Sequence, residues 1–244
     1  MRRRQIRLWL VRVALATLVL CGSCGTWVWL TWPNVERLEE SEPETTAFIQ
    51  RYRDRQGSLG QSGAVQWQWV PFQQISPHLL RAVVAAEDME FFSHNGFSKS
   101  EVRAAVTQAI RERRRPRGAS TITQQLAKNL WLSPSRNPLR KLRESILTRQ
   151  LEKALAKERL LEIYVNVVEF GKGIYGVEAA ARYYFEKAAA ELSAFEGAML
   201  AASLPRPTSW HPGVDSPYYL GYVDEIEYRV RQAPFLFTLF PGNR

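Results

Sequence analysis

Hydrophobic and polar positions divide the chain into an uncharged run, a polar stretch and a long helical pattern. The uncharged run covers 13–35, 23 residues without a charged side chain. At about 1.5 Å per helical residue it reaches roughly 34 Å, enough to cross a hydrocarbon core. Residues 36–63, acidic first and then rich in Gly, Ser and Arg, read as a linker and irregular lead-in. Alternation over 65–70 predicts one short strand. Beyond it the apolar period is helical. Ser76-Pro77, a cap followed by an N1 proline, opens a helix to about residue 89, and a second is expected over 100–113. Ser120 or Thr121 starts a third, Asn137-Pro138 a longer fourth, and a fifth covers 157–167. Gly171, Gly173 and Gly176 mark a turn before a helix at 177–184. Ser193 and Glu196 form a capping box for a helix ending near Pro205. The tail from Tyr218 is aromatic and open between helix and strand. No fixed-period repeat occurs. The fold class is mainly α, organised as a basic segment (1–12), a transmembrane helix (13–35), the linker (36–63), a folded domain (64–212) and a C-terminal tail (213–244).

Charge sharpens the first boundary. The net charge is +9, and Arg2, Arg3, Arg4, Arg7 and Arg12 supply five of it, which leaves the rest an ordinary balance. Flanks rich in Lys and Arg stay cytoplasmic, so the N-terminus is placed inside and everything after 35 outside. Trp27, Trp29 and Trp32 suit the interface where the helix emerges. A cleaved signal peptide is the rival; its apolar core is shorter, about 7–15 residues, and Cys21-Gly22-Ser23-Cys24 fits its small-x-small site poorly. The two cysteines cannot make a disulfide framework. Three scattered histidines (His78, His94, His211) make no His-rich metal site.

Four stretches carry chemistry. In 85–97, Glu87 ends an apolar helix and precedes aromatics. It is either a solvated helix-end carboxylate or one held against apolar walls, where its pKa rises and it gains strength as a general base. In 117–130, Ser120, Thr121, Gln124, Gln125 and Lys128 gather donors around a helix start. That is either a well-capped surface helix or a cradle for an anionic, oxygen-rich ligand such as a phosphate. In 136–144, Arg136, Arg140, Lys141 and Glu144 form either a salt-bridged solvated helix, with Arg140 and Glu144 at i,i+4, or a cationic clamp for a diphosphate with a buried acidic partner. The glycines and alanines of 162–181 imply close backbone packing and read as scaffold.

In this order the residues resemble the family 51 peptidoglycan glycosyltransferases. Glu87, Asp88, Phe91, His94 and Gly96 meet the first signature, and Gly118, Ser120 to Gln125 and Lys128-Asn129-Leu130 the second, which is highly specific. Arg140, Lys141 and Glu144 match the third, Tyr164, Asn166, Gly171 and Gly176 the fourth, and Glu196 with Leu204-Pro205 the fifth. Coverage is about 65–212. No Ser-x-x-Lys or Lys-Thr-Gly motif accompanies them, so the form resembles the monofunctional enzyme without a transpeptidase domain. Glu186 departs from the pattern, standing where a Gly usually separates Phe185 from Lys187, and 111–117 is unusually arginine-rich.

The resemblance implies a lysozyme-like, two-lobed helical domain with a membrane-proximal lobe, sited outside the bacterial inner membrane. It implies that lipid II is polymerised into glycan strands with inversion at C1 and release of undecaprenyl diphosphate. Glu87 is then the general base and Glu144 the second essential carboxylate. Ser120, Thr121, Gln124, Gln125, Lys128, Arg136, Arg140 and Lys141 bind donor sugar or diphosphate. No cofactor is obligatory and no protein metal site is implied, with room for a divalent cation, Mg or Mn, at the diphosphate. Membrane lipids and other wall-synthesis proteins are the expected partners. Three rivals are a lytic muramidase, which needs an acid for a poor leaving group but no diphosphate cations, a nucleic-acid binder using the 111–117 arginines, which the topology places away from DNA, and a silent scaffold.

Overall fold

The computed structural model describes residues 30–100, 120–135 and 137–242, together with 5, 9, 10, 12, 13, 15–19, 22, 23, 26, 103, 107 and 111. It divides into two compact units, Met1–Asn34 and Val35–Arg244. In the first, every described position from 5 to 30 is helical. Among the described residues no helix is long and apolar enough to cross a membrane; much of the span expected over 13–35 lies outside them. The helix expected over 100–113 is likewise described only at Ser100, Arg103, Thr107 and Arg111, all helical.

The second unit is built of helices around a very small sheet. In chain order they are α1 (Ala47–Ser58), α2 (Pro77–Glu87), α3 (Ile122–Trp131), α4 (Pro138–Ala154), α5 (Lys157–Val167), α6 (Val177–Phe185), α7 (Ala194–Ser203), α8 (Pro217–Arg231) and α9 (Phe235–Leu239). Strands β1 (Gln66–Trp67), β2 (Glu169–Gly171) and β3 (Ile174–Tyr175) form one sheet in the order β1-β3-β2. β1 lies parallel to β3, and β2 antiparallel to it. Local chemistry sets most helix starts: Ser76, Thr121, Asn137 and Ser193 each accept a backbone N–H in the first turn, and Thr121–Gln124 and Ser193–Glu196 are full capping boxes.

Two expectations are corrected. The lead-in is not irregular: a 3₁₀ turn covers Glu36–Glu39 and α1 follows, capped by Thr46 with Ile49 fully buried. Arg159 of α5 holds the segment by donating to the carbonyls of Leu38 (2.8 Å) and Ser41 (2.9 Å). The tail, left open between helix and strand outside the domain, is helical and packed into it. Ser216 caps α8, and Tyr219, Val223, Ile226, Leu236 and Phe240 are buried. Burying such side chains contributes about 1.5–3 kcal/mol each, so the folded domain extends well past residue 212.

The helices fall into two packing groups. α2 packs on α7 and α8, while α3 packs on α4, α5 and α1. Asn166 of α5 ties the sheet region in: its side chain bonds both backbone groups of Val70, and its carbonyl accepts from the Trp67 indole at 2.7 Å. Gly176 has φ +78° and a Cβ there would meet the Asn166 carbonyl oxygen at 2.6 Å, so the turn requires glycine. The stretch read as scaffold is scaffold, with one exception described below.

Candidate active site

The site lies where the two helix groups meet. Glu87 is the last residue of α2, and its Oε2 accepts a 2.6 Å hydrogen bond from Gln125 Nε2 of α3. The amide is oriented from behind, since the Tyr164 hydroxyl of α5 donates to Gln125 Oε1 at 3.2 Å. Burial pushes the Tyr164 hydroxyl pKa far up, so it stays protonated and available as that donor. Tyr164 is the exception to the scaffold reading.

Burial also raises the Glu87 carboxyl above its ordinary range, and this outweighs the lowering pulls of the Gln125 hydrogen bond and the Lys128 charge. Glu87 is therefore not the solvated helix-end carboxylate. It lines an open cleft of about 630 Å³ with Ser120, Gln125, Pro205, Tyr222 and Arg229.

Asp88 fixes the direction of its neighbour. Its carboxylate accepts from the backbone N–H of Ile122 at 3.0 Å, at the start of α3. His94 Nε2 also bonds it, at 2.9 and 3.0 Å to the two oxygens, while His94 Nδ1 accepts from Gly96 N. Gly96 has φ +87°, and a Cβ there would meet Thr148 at 2.7 Å. The loop thus closes onto α3 and turns Glu87 toward Gln125.

The donors expected to cradle an anion at the α3 N-terminus fall into two sets. Thr121 Oγ1 accepts from Gln124 N and donates to the Gly96 carbonyl, and Gln124 Oε1 accepts from Thr121 N. Both side chains are buried at the capping box, and Asp88 places a carboxylate on the Ile122 N–H there. Ser120 and Gln125 face the cleft; Thr121 and Gln124 do not line it.

Gln125 and Lys128 are one turn apart on α3, and Lys128 joins Glu87 to the cations of α4. Burial lowers the Lys128 pKa, and the charges of Glu144 and then Glu87 pull it back up. On α4, Glu144 is 3 % exposed and pairs with Arg140 through Oε2 and with Lys141 through Oε1. The charge run is therefore not a solvated face: its acid is buried and both cations converge on it. Among the described residues, the buried Arg140 Nε has no hydrogen-bond partner. Arg136 lies outside the described residues. Among the described residues no group of three or more His, Cys, Asp or Glu side chains could hold a metal ion. Both Glu144 oxygens are engaged by cations, Arg140 and Lys141.

The sequence reading missed the cleft wall supplied by α8. The Tyr222 hydroxyl donates to the Ala86 carbonyl at 3.4 Å, and Arg229 reaches the Ala85 carbonyl at 3.5 Å while pairing with Glu225. The two are seven apart, on one helix face. The only local signal was Ser216-Pro217, the same cap-plus-proline pair that opens α2.

Residues 55–229 match the family model described as Transglycosylase. Several relatives named biosynthetic peptidoglycan transglycosylase are similar to the chain. One from an Azoarcus species is 40% identical over 225 residues, covering 92% of this chain and 96% of the relative. Another, from Thiobacillus denitrificans, is 45% identical over 168 residues, covering 69% and 72%. A third, from Nitrosospira multiformis, is 42% identical over 176 residues, covering 72% and 76%. Matched over most of its length, the chain belongs to the transglycosylase family, as a glycosyltransferase of peptidoglycan synthesis.

Proposed function

We propose that the protein polymerises lipid II by inverting glycosyl transfer, with Glu87 as the general base. Glu87 removes the proton from the acceptor's 4-hydroxyl. The freed oxygen attacks C1 of the growing strand, and the bond from C1 to the lipid diphosphate breaks. The departing diphosphate already carries its negative charge, so it needs cations more than a protonating acid. Lys128, Arg140 and Lys141 supply them, and the unpartnered Arg140 Nε is a donor that a diphosphate oxygen would satisfy. Glu144 serves by holding Arg140 and Lys141 in place. Ser120 and Gln125 bind sugar oxygens in the cleft. Thr121 and Gln124 act indirectly, by fixing the start of α3, and Arg136 is a further candidate cation. The helical body corresponds to a lysozyme-like fold whose two lobes are the two packing groups.

The same reading makes 13–35 a single membrane helix with a cytoplasmic N-terminus and an extracytoplasmic catalytic domain at the bacterial inner membrane. Leu139 and Leu142, 70 % and 59 % exposed beside Arg140 and Lys141, support a lipid surface at the cation cluster, where a prenyl tail must remain in the bilayer. A lytic muramidase is the weaker reading, because the cations converge on Glu144 and make it a poor glycosidase carboxylate.

The observation that carries the proposal is Glu87, raised in pKa by burial and aimed across the junction at Gln125. Purified wild-type protein incubated with lipid II is expected to yield glycan polymer, and Glu87→Gln, which keeps the shape but cannot take a proton, at least about 10²-fold less. Comparable turnover by Glu87→Gln, or cleavage of sacculi without polymerisation, would overturn the assignment.

A further inference from the structure

The segment that leads into the domain reaches the cation side of the site. Arg140 and Lys141 each pair with Glu144, whereas Lys128 forms no salt bridge among the described residues. Its ammonium stands instead over the Phe48 ring, 6.0 Å from the centroid. Phe48 is half-buried in the first turn of α1. It belongs to none of the family signatures and precedes the matched residues 55–229.

The stretch that carries the ring is tied to the domain on both sides of Phe48. Upstream, Arg159 of α5 donates to the Leu38 and Ser41 carbonyls, pairs with Glu162 at 3.0 Å and stacks 5.4 Å over Trp69. Next to the ring, Thr46 caps α1 by accepting from Ile49 N at 3.1 Å, and Ile49 is fully buried. α1 packs on α3, the helix of Lys128. A ring face attracts a cation without neutralising it, and at Lys128 that difference matters. Burial works against its charge, while Glu144 and Glu87 attract the ammonium and Arg140 and Lys141 repel it. Drawn onto either carboxylate, Lys128 would spend its charge in an ion pair, and at Glu87 it would also weaken the base. Over the ring it keeps that charge for an incoming anion.

We propose that Phe48 is a positioning residue of the diphosphate site, seating the Lys128 ammonium over its ring so that the charge stays available to the lipid diphosphate. This rests on the reading of Lys128, with Arg140 and Lys141, as the cations that bind that group. The lead-in after residue 35 is then a working part of the site, acting through Lys128 and not by touching substrate.

The test uses the full-length chain, with lipid II as substrate and farnesyl diphosphate as a sugar-free probe of the cations. Phe48→Leu keeps an apolar side chain but removes the ring face. Trifluorophenylalanine at position 48 keeps the ring's shape and drains the electron density of its face. Both changes are expected to weaken farnesyl diphosphate binding, and to lower kcat/KM for lipid II, by about threefold to tenfold. The fluorinated protein should melt as the wild type does, and Phe48→Tyr should recover most of the Phe48→Leu loss. In a Lys128→Met background, Phe48→Leu should have no further effect on either reading. Binding that ignores fluorination would overturn the proposal, because a ring that only fills space is indifferent to its electron density. So would a Phe48→Leu loss that persists undiminished in Lys128→Met. Wild-type binding and turnover in Lys128→Met alone would instead refute the diphosphate reading of Lys128, and the role of Phe48 with it.

Discussion

At the scale of single residues, a base works only when ionised, and Glu87 is held where ionisation is disfavoured. Its pKa is raised by burial, so the acidic limb of the rate profile should lie above the ordinary glutamate range, with kcat/KM falling as pH drops through it. The same shift links to stability. The folded state binds this proton more tightly than the unfolded chain, so the resulting stabilisation is full below the unfolded pKa and lost as pH rises through the folded one. Glu87→Gln has no such loss, and its stability advantage in urea unfolding should therefore grow with pH across that window. An advantage independent of pH would contradict the raised pKa. Glu186 carries a second residue-scale prediction. It follows α6 with φ +58°, a left-handed position that suits glycine, and its side chain is exposed. The departure from the family pattern is therefore a strained helix end. Glu186→Gly should stabilise by about 0.5–1 kcal/mol, raising the melting temperature by about 1–4 °C with activity unchanged; a lower melting temperature would show that the side chain is held by something worth more than the strain.

At the scale of elements, the join between the loop after α2 and the start of α3 decides where Glu87 points. Asp88 caps α3 through Ile122 N and is itself held by His94. Asp88→Ala removes both bonds and should cost about 2 kcal/mol in denaturant unfolding. Turnover should fall further than that loss of folded protein explains, and Asp88→Asn should recover part of each. Equal turnover per folded molecule in Asp88→Ala would mean that Glu87 is positioned without this cap. Element starts were legible where a cap precedes a clear apolar period: Ser76, Thr121, Asn137 and Ser193 cap the helices that their sequence neighbourhoods predict. What was not legible depended on distant partners. The α3 start looks like an anion site because nothing near it in sequence reveals that Asp88, 34 residues earlier, takes its N–H group. α1 buries Ile49 and Gln56 but leaves most of its face polar, so its period is faint. α8 carries aromatics on its buried and exposed faces alike, Tyr219 against Tyr218 and Tyr228, which blurs the contrast that periodicity needs.

At the scale of the molecule, the site is assembled from α2, α3, α4, α5 and α8, and all of these belong to the unit Val35–Arg244. The order of motifs in the sequence identifies the residues of α2, α3 and α4, but only the fold brings the far end of the chain to the cleft. The tail is drawn in by Arg81 of α2, fully buried, whose guanidinium donates to the Phe240 carbonyl and stacks 4.3 Å over Phe237. The unit from Val35 onward holds every described side chain of the site. On the reading of 13–35 as a membrane helix, residues 1–34 act on the search for substrate. An enzyme tethered in the membrane that holds a lipid-linked substrate meets it at an effective concentration in the millimolar range, and loses that advantage when cut free. A protein lacking residues 1–34 should therefore polymerise detergent-dispersed lipid II at a rate close to the full chain. On lipid II embedded in liposomes, with nanomolar enzyme, its rate should drop by about 10-fold or more. Equal rates on liposomes would mean that 1–34 is no anchor, or that the face around Leu139 and Leu142 holds the catalytic unit to the bilayer by itself. Substituting both leucines with serine in the shortened protein separates those two outcomes, since only the second predicts a further loss.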